Sequence, residues 1–247
     1  MKFFDANCMI GMRGIVKEGE PTTHEEILEL MERCGIEKAI AFHAMAKEAD
    51  LPSGNKKLLE EIEGDVRFVP QWCVLPQTFG EYLSADELFD EMKKNNVSSI
   101  RLLPKTCGYS LKPHAIGKLM DNAAQCKMPV FIDLSEIPTA KIYDLCKDFP
   151  EVNFVVSDIS YRENRWLGPI LDTCPNLYLG VGKFLVHNGI KQLCRHYGAD
   201  RWLFDTNLPT GSATSAVSLI YYAEISQEEK ELIAHGNVER LLAEVKL

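Results

Sequence analysis

The chain has 247 residues, of which 46% are hydrophobic and 26% charged, and its 27 basic and 36 acidic side chains give a formal charge of −9. A surface of that sign repels polyanions, which argues against nucleic acid and anionic membranes as partners, and no apolar stretch reaches the ~20 residues that cross a bilayer. The eight cysteines are widely spaced, the nearest two being Cys107 and Cys126, so neither a Cys-x-x-Cys redox pair nor a zinc-finger spacing exists. Most sit in apolar patterns and read as buried thiols in a reducing compartment. With no signal-peptide pattern at "MKFFDANCMIG", the expectation is a cytoplasmic protein.

Short apolar runs alternate with amphipathic helical segments along the whole chain. The first run, "KFFDANC" at 2–8, is followed by a helix that starts on the capping box Thr23 and Glu26, carries the stripe Ile27, Leu30, Met31 and Cys34, and stops at Gly35. The second run is "EKAIAFH" at 37–43, and the third is "VRFVPQWCV" at 66–74, with Pro70 marking a bulge or a strand start. A second capping box, Ser84 with Glu87, opens the helix before "SSIRLLP" at 98–104. Pro113 and Pro138 suit first-turn helix positions on either side of "PVFID" at 129–133. The runs "VNFVVSD" at 152–158, "LYLGVG" at 177–182 and "RWLFDTN" at 201–207 complete the set, and Ser226, Glu229 and Gly236 frame a further helix.

Eight β-then-α units in one 247-residue domain, several of the strands apolar along nearly their full length, imply an α/β fold: a single (β/α)8 TIM-like barrel spanning 1–247. No Gly-x-Gly-x-x-Gly follows the first strand, which weighs against an open dinucleotide-binding sheet. Sites in such barrels lie at the carboxyl ends of the strands. The polar residues there are Asn7, His43, Gln71, Arg101 with Lys105, Asp133 with Ser135, Asp158, Lys183, and Asp205 with Asn207. The remaining histidines read as surface or capping residues and the three tryptophans as packing. No Gly-x-Ser-x-Gly nucleophile motif occurs.

Several segments together resemble the amidohydrolase-related proteins, a branch of the metal-dependent hydrolases built on a TIM-like barrel. "FDANCMIG" looks like the first-strand motif and "EEILELMERCGIEKAIAF" like the helix leading into strand two. "GNKKLLEEIEGDVRFVPQWCVLP" resembles the family's Gly-Asn, helix, strand, Pro passage. "FPEVNFVVSDIS" is similar to the strand that normally ends in His-Leu-Gly, "GADRWLFDTNLP" to the last strand, and "HGNVERLL" to the terminal helix. The resemblance implies one divalent metal, often zinc, held by two first-strand histidines, further histidines ending strands five and six, and an aspartate ending strand eight. Those places hold Asn7, Met9, Asp133, Asp158 and Asn207, so the usual hydroxide-generating metal site is not expected.

Strand alternation would place Asp5, Asn7 and Met9 inside the barrel, with Ala6 and Cys8 facing the helices, and would bring Asp205 inward beside Asn207. Convergence of Asp133, Asp158 and Asp205 demands a retained proton or a cation. Arg101, Lys105 and Lys183 are the internal candidates. Mg²⁺ or Ca²⁺ at an oxygen-only site is the alternative, and no cofactor is the first expectation. Two functions follow. One is a metal-independent hydrolase of lactonase or esterase type, or a lyase, acting on a small carboxylated molecule. In it Asp133 or Asp158 is the base, His43 a reserve acid/base, and Asn7, Arg101, Lys183, Asp205 and Asn207 hold the substrate. The other is an inactive barrel serving as a small-molecule sensor or scaffold subunit, motivated by the chemically quiet Met9 and Asn207. Homo-oligomerisation is left open.

Overall fold

Each apolar run forms a strand, and the strands pair in parallel, each with the next in sequence. The computed structural model describes residues 1–247. The strands are β1 (Phe3–Ile10), β2 (Ile36–His43), β3 (Phe68–Val74), β4 (Ser99–Leu102), β5 (Val130–Asp133), β6 (Phe154–Ser157), β7 (Leu177–Gly180) and β8 (Trp202–Leu203). Although β8 is regular over only two residues, the chain beyond it stays bonded to β1 and closes the ring. Ala6 N donates to Phe204 O at 2.9 Å, Asn207 N to Asn7 O at 3.0 Å, and Met9 N to Leu208 O at 2.8 Å. The architecture is the (β/α)8 barrel that the alternation implies.

Between the strands lie α1 (His24–Cys34), α2 (Ala44–Glu48), α3 (Leu51–Glu61), α4 (Ala85–Lys94), α5 (Pro113–Gln125), α6 (Thr139–Asp148), α7 (Asn164–Thr173) and α8 (Gly189–Tyr197). After β8 come α9 (Ala213–Tyr221), α10 (Gln227–Glu231), a π turn over Leu232–Gly236, and α11 (Asn237–Ala243). The three capping boxes form as their sequences specify, and Gly35 ends α1 in the left-handed conformation at φ 69°. Pro113 opens α5, whereas Pro138 is the residue before the first turn of α6. Trp72 and Trp202 are buried, but Trp166 is 57% exposed in the first turn of α7, so it does not pack as expected. No helix is long and apolar enough to cross a membrane.

The barrel interior is apolar at its floor, where Phe4, Ala6, Ile40, Phe131, Val155 and Leu203 pack together with Val238 and Leu241 of α11. That helix runs beneath the strands. Its Asn237 side chain donates to Ala199 O and Trp202 O at the start of β8, while Lys246 N, just past its end, donates to Cys126 O at the end of α5. Ala6 belongs to this inner cluster, which corrects the expectation that it faces the helices. The cause is a bulge. Asp5 pairs with Ala39 but Cys8 with Ala41, so β1 carries one extra residue and the alternation shifts between Ala6 and Asn7.

Beyond Pro70, the edge of β3 that faces β2 is served by a side chain instead of a strand. Asn55 on α3 donates to Cys73 O at 2.8 Å and accepts from Cys73 N at 3.0 Å, completing a ladder that β2 leaves when it turns into α2. Gly54 lets α3 lie directly against α2, since a Cβ there would lie 2.0 Å from Ala46 N. Replacing Asn55 by Ala orphans a buried donor and a buried acceptor, so a loss of about 2–4 kcal/mol and a midpoint lowered by roughly 5–15 °C are expected. Thermal denaturation followed by circular dichroism checks this, and a midpoint unchanged from wild type would show that water serves Cys73 equally well.

Candidate active site

At the carboxyl end of the barrel the inward side chains change from apolar to polar, and the centre is taken by Arg101. Its side chain has no solvent exposure, and its guanidinium lies over the Phe42 ring, 4.1 Å from the centroid. Nε donates to Gln71 Oε1 at 2.7 Å, Nη1 to Asp133 Oδ1 at 2.6 Å, and Nη2 to Asn7 Oδ1 at 2.7 Å. One side chain on β4 therefore ties β1, β3 and β5 across the barrel. Gln71 is oriented in turn by Ser99, to whose Oγ its Nε2 donates at 3.1 Å.

From Arg101 a continuous polar string runs to both sides of the mouth. On one side Lys47 of α2 donates to Asp133 Oδ2 at 2.9 Å. On the other, Asn7 Nδ2 donates to Asn207 Oδ1 at 3.2 Å, Asn207 Nδ2 to Asp158 Oδ1 at 3.3 Å, and Lys183 Nζ to the same Asp158 oxygen at 2.5 Å. The middle is dry and the ends are wet: Asp133 is 5% exposed in its side chain, whereas Lys47, Asp158 and Lys183 are 23%, 32% and 38% exposed. Asp158 and Asn207 both hold left-handed backbone, φ 66° and 58°, just past β6 and β8. Such conformations in non-glycine residues cost of order 1 kcal/mol or more and concentrate at functional sites.

The structure separates the aspartates by partner. Burial works to raise the Asp133 carboxyl, but the adjacent Arg101 and Lys47 outweigh it and hold it at about 2. Asp205 has no cation. Burial raises it to about 7, one Gly182 N–H at 2.6 Å pulls it down, and the neighbouring Asp5, Asp158 and Asp133 push it further up. Gly182 makes room for this contact, since a Cβ there would stand 1.7 Å from the Asp205 carbonyl oxygen. Burial likewise lifts Asp5 to about 6 against hydrogen bonds from the Thr206 hydroxyl, Asn7 N and Thr206 N. Asp5 thereby latches the β1 bulge onto the strand segment after β8.

His43 is not brought into this cluster. On β2 it shares a face with Ala39 and Ala41, which pack outward, while Ile40 and Phe42 face in. Its Nδ1 accepts from Met45 N at 3.0 Å, capping α2, and its Nε2 lies 3.3 Å from Glu61. Lys105 is also elsewhere, donating to Ser135 O at 3.3 Å. Asn7, Arg101, Asp133, Asp158, Lys183 and Asn207 are joined in the string, with Asp205 just below. Sequence reasoning missed Lys47, Phe42 and Thr206, as well as Ser157, whose buried hydroxyl inside the barrel has no partner.

Residues 18–243 match the family model described as amidohydrolase. The chain belongs to the amidohydrolase family. Among solved structures, it is similar to an uncharacterised TIM-barrel protein from Bordetella bronchiseptica, at 19% identity and TM-score 0.74, over 99% of both chains. It is also similar to 2,6-dihydroxybenzoate decarboxylase from Rhizobium, at 15% identity and TM-score 0.72, over 98% of this chain and 99% of that one. A third is a dihydroxybenzoic acid decarboxylase from a Polaromonas species, solved with bound manganese and the inhibitor 2-nitroresorcinol, at 16% identity and TM-score 0.67, over 98% and 97%. No curated protein sequence matches the chain.

Set against a divalent ion such as manganese, the residues present are a poor fit. Asp133 and the Asn7 carbonyl oxygen already face a guanidinium, Asp158 faces an ammonium, and no three His, Cys, Asp or Glu side chains gather as a ligand set.

The carboxyl shifts fix how stability should depend on pH. Asp205 and Asp5 titrate higher folded than the about 3.9 of an unfolded aspartate, so the folded state binds more protons between about 4 and 7 and loses stability as pH rises through that window. Asp133 is depressed, and its contribution is lost as pH falls from about 4 toward 2. The melting midpoint should therefore rise from pH 8 to about 5 and fall again below about 4. Asp205→Asn should raise the midpoint at pH 8 by roughly 5 °C or more and flatten the slope between pH 5 and 8. A variant that keeps the wild-type slope would remove Asp205 as its source.

Proposed function

We propose that this barrel is a metal-independent lyase or hydrolase acting on a small carboxylated organic molecule received at the carboxyl-end mouth. The observation that carries this reading is the pair of partly exposed ammonium groups, Lys47 and Lys183, that end the polar string. Each makes a single hydrogen bond to an aspartate, which leaves further N–H donors for an incoming carboxylate. Arg101 is committed to its three partners and acts on the substrate only through them. Asp158, about a third exposed and next to Lys183, is the general base, because Asp133 has both oxygens bound to cations. The decarboxylases among the similar structures support the lyase arm. In a decarboxylation the electrons of the broken carbon–carbon bond stay on the substrate carbon, carbon dioxide leaves, and that carbon takes a proton. Asp205, raised by burial to about 7, is the acid beside the string that can supply one.

Assays of chelator-treated protein on hydroxybenzoates, lactones and esters, read by carbon dioxide release and pH-stat, test the proposal. Turnover should persist in chelator, and Lys183→Met should lower kcat/KM roughly 10- to 100-fold with the fold intact. Turnover that vanishes with chelator and returns with zinc or manganese would overturn the metal-independent reading.

The complete pairing of Arg101, Asn7 and Asp133 favours a second reading, a ligand-sensing or scaffold barrel without catalysis. A midpoint raised by an aromatic or hydroxy acid with no product formed would select sensing. No shift and no turnover across the panel would select scaffolding.

A further inference from the structure

Arg101 and the donors around it point past the question of which reaction the mouth performs. Asn7 and Asp133 stand at places that the family resemblance gives to metal ligands, and both turn an oxygen to one guanidinium, at 2.7 and 2.6 Å. Gln71 holds the third edge of the fork at 2.7 Å, and the Phe42 ring covers its face. A planar, permanently charged, weakly hydrated cation is suited to such a dry place, where a hydrated divalent ion would have to shed its water to enter.

We propose that the Arg101 guanidinium is the resident cation of this barrel, organising the Asn7 and Asp133 oxygens in place of a bound metal and excluding a divalent ion from the same ground. The exclusion has two causes. The oxygens are already directed at the guanidinium, and a divalent ion among them would lie within hydrogen-bonding range of a positive group tethered to β4. Lys47 completes the neutralisation of Asp133 from the solvent side, and Lys183 serves Asp158 in the same manner. This holds whether the mouth catalyses, senses or only supports, and its tests contain no activity readout, so absence of turnover leaves it standing.

Metal content and thermal midpoints test it. Wild-type protein grown with added manganese and zinc should carry well under one equivalent of either after gel filtration, and chelator should leave its midpoint unchanged. Arg101→Met should lower the midpoint by about 10 °C or more, because it leaves one oxygen of the buried Asp133 carboxylate and the Asn7 and Gln71 oxygens without their donor. Adding Asp133→Asn to that variant should recover at least about half of the loss, a coupling that two independent packing defects would not show. In Arg101→Ala, methylguanidinium at millimolar concentration should raise the midpoint more than it does in wild type. One equivalent of metal held by wild-type protein and lost in Asp133→Asn would overturn the proposal, as would a double variant no more stable than Arg101→Met. Should the Arg101 variants fail to fold, the metal content of wild-type protein and of Asp133→Asn still decides it.

Discussion

A buried charge pair governs this barrel. Taking Arg101 and Asp133 out of water costs several kcal/mol per ion, and the contact at 2.6 Å offsets that only because the rest of the guanidinium and the second carboxylate oxygen are also bonded. Well-packed apolar residues of the same volume could be as stable, so the pair is better understood through what it positions than through the stability it adds. It positions a great deal. The amides of Asn7 and Gln71 have their orientations fixed by it, Asn7 in turn orients Asn207, and Asn207 meets Asp158.

Rigidity and access are divided along that string. Its middle is sealed under Phe42 and fixed by bonds from several strands, while Lys47 and Lys183 reach it from a short helix and a loop at the rim. Groups proposed to exchange a neighbour for a ligand sit where water can fill in during the exchange. Groups that must hold geometry sit where it cannot. The left-handed backbone of Asp158 and Asn207 lies at the border between the two, in residue types that tolerate it best after glycine.

The barrel was legible because strand and helix signals repeat along the chain and three capping boxes mark helix starts at their written positions. Most of the polar string was legible too, since strand ends face the mouth by topology. What escaped had physical reasons. The β1 bulge leaves no mark in "FDANC", because an extra residue is absorbed by hydrogen bonds that Asp5 accepts from Thr206, a residue distant in sequence on the segment after β8. Lys47 lies in a five-residue helix after β2 and reaches a strand 86 positions away, a contact that no local pattern encodes. His43 was readable and misread: small Ala39 and Ala41 alternate with bulky Ile40 and Phe42, which already assigns the histidine to the outer face. The proton affinity of Asp205 depends on having no cation beside it, and sequence does not report which of four acids three cations will choose.

The passage of α11 under the strands gives the molecule a direction. With Asn237 fastened at β8, Val238 and Leu241 packed into the floor and Lys246 tied to Cys126, the amino-terminal opening is stoppered by the chain's own tail. The barrel is thus closed at its floor, the partly exposed groups Lys47, Asp158 and Lys183 all stand at the opposite end, and under the proposed function both substrate entry and product release fall to that one side.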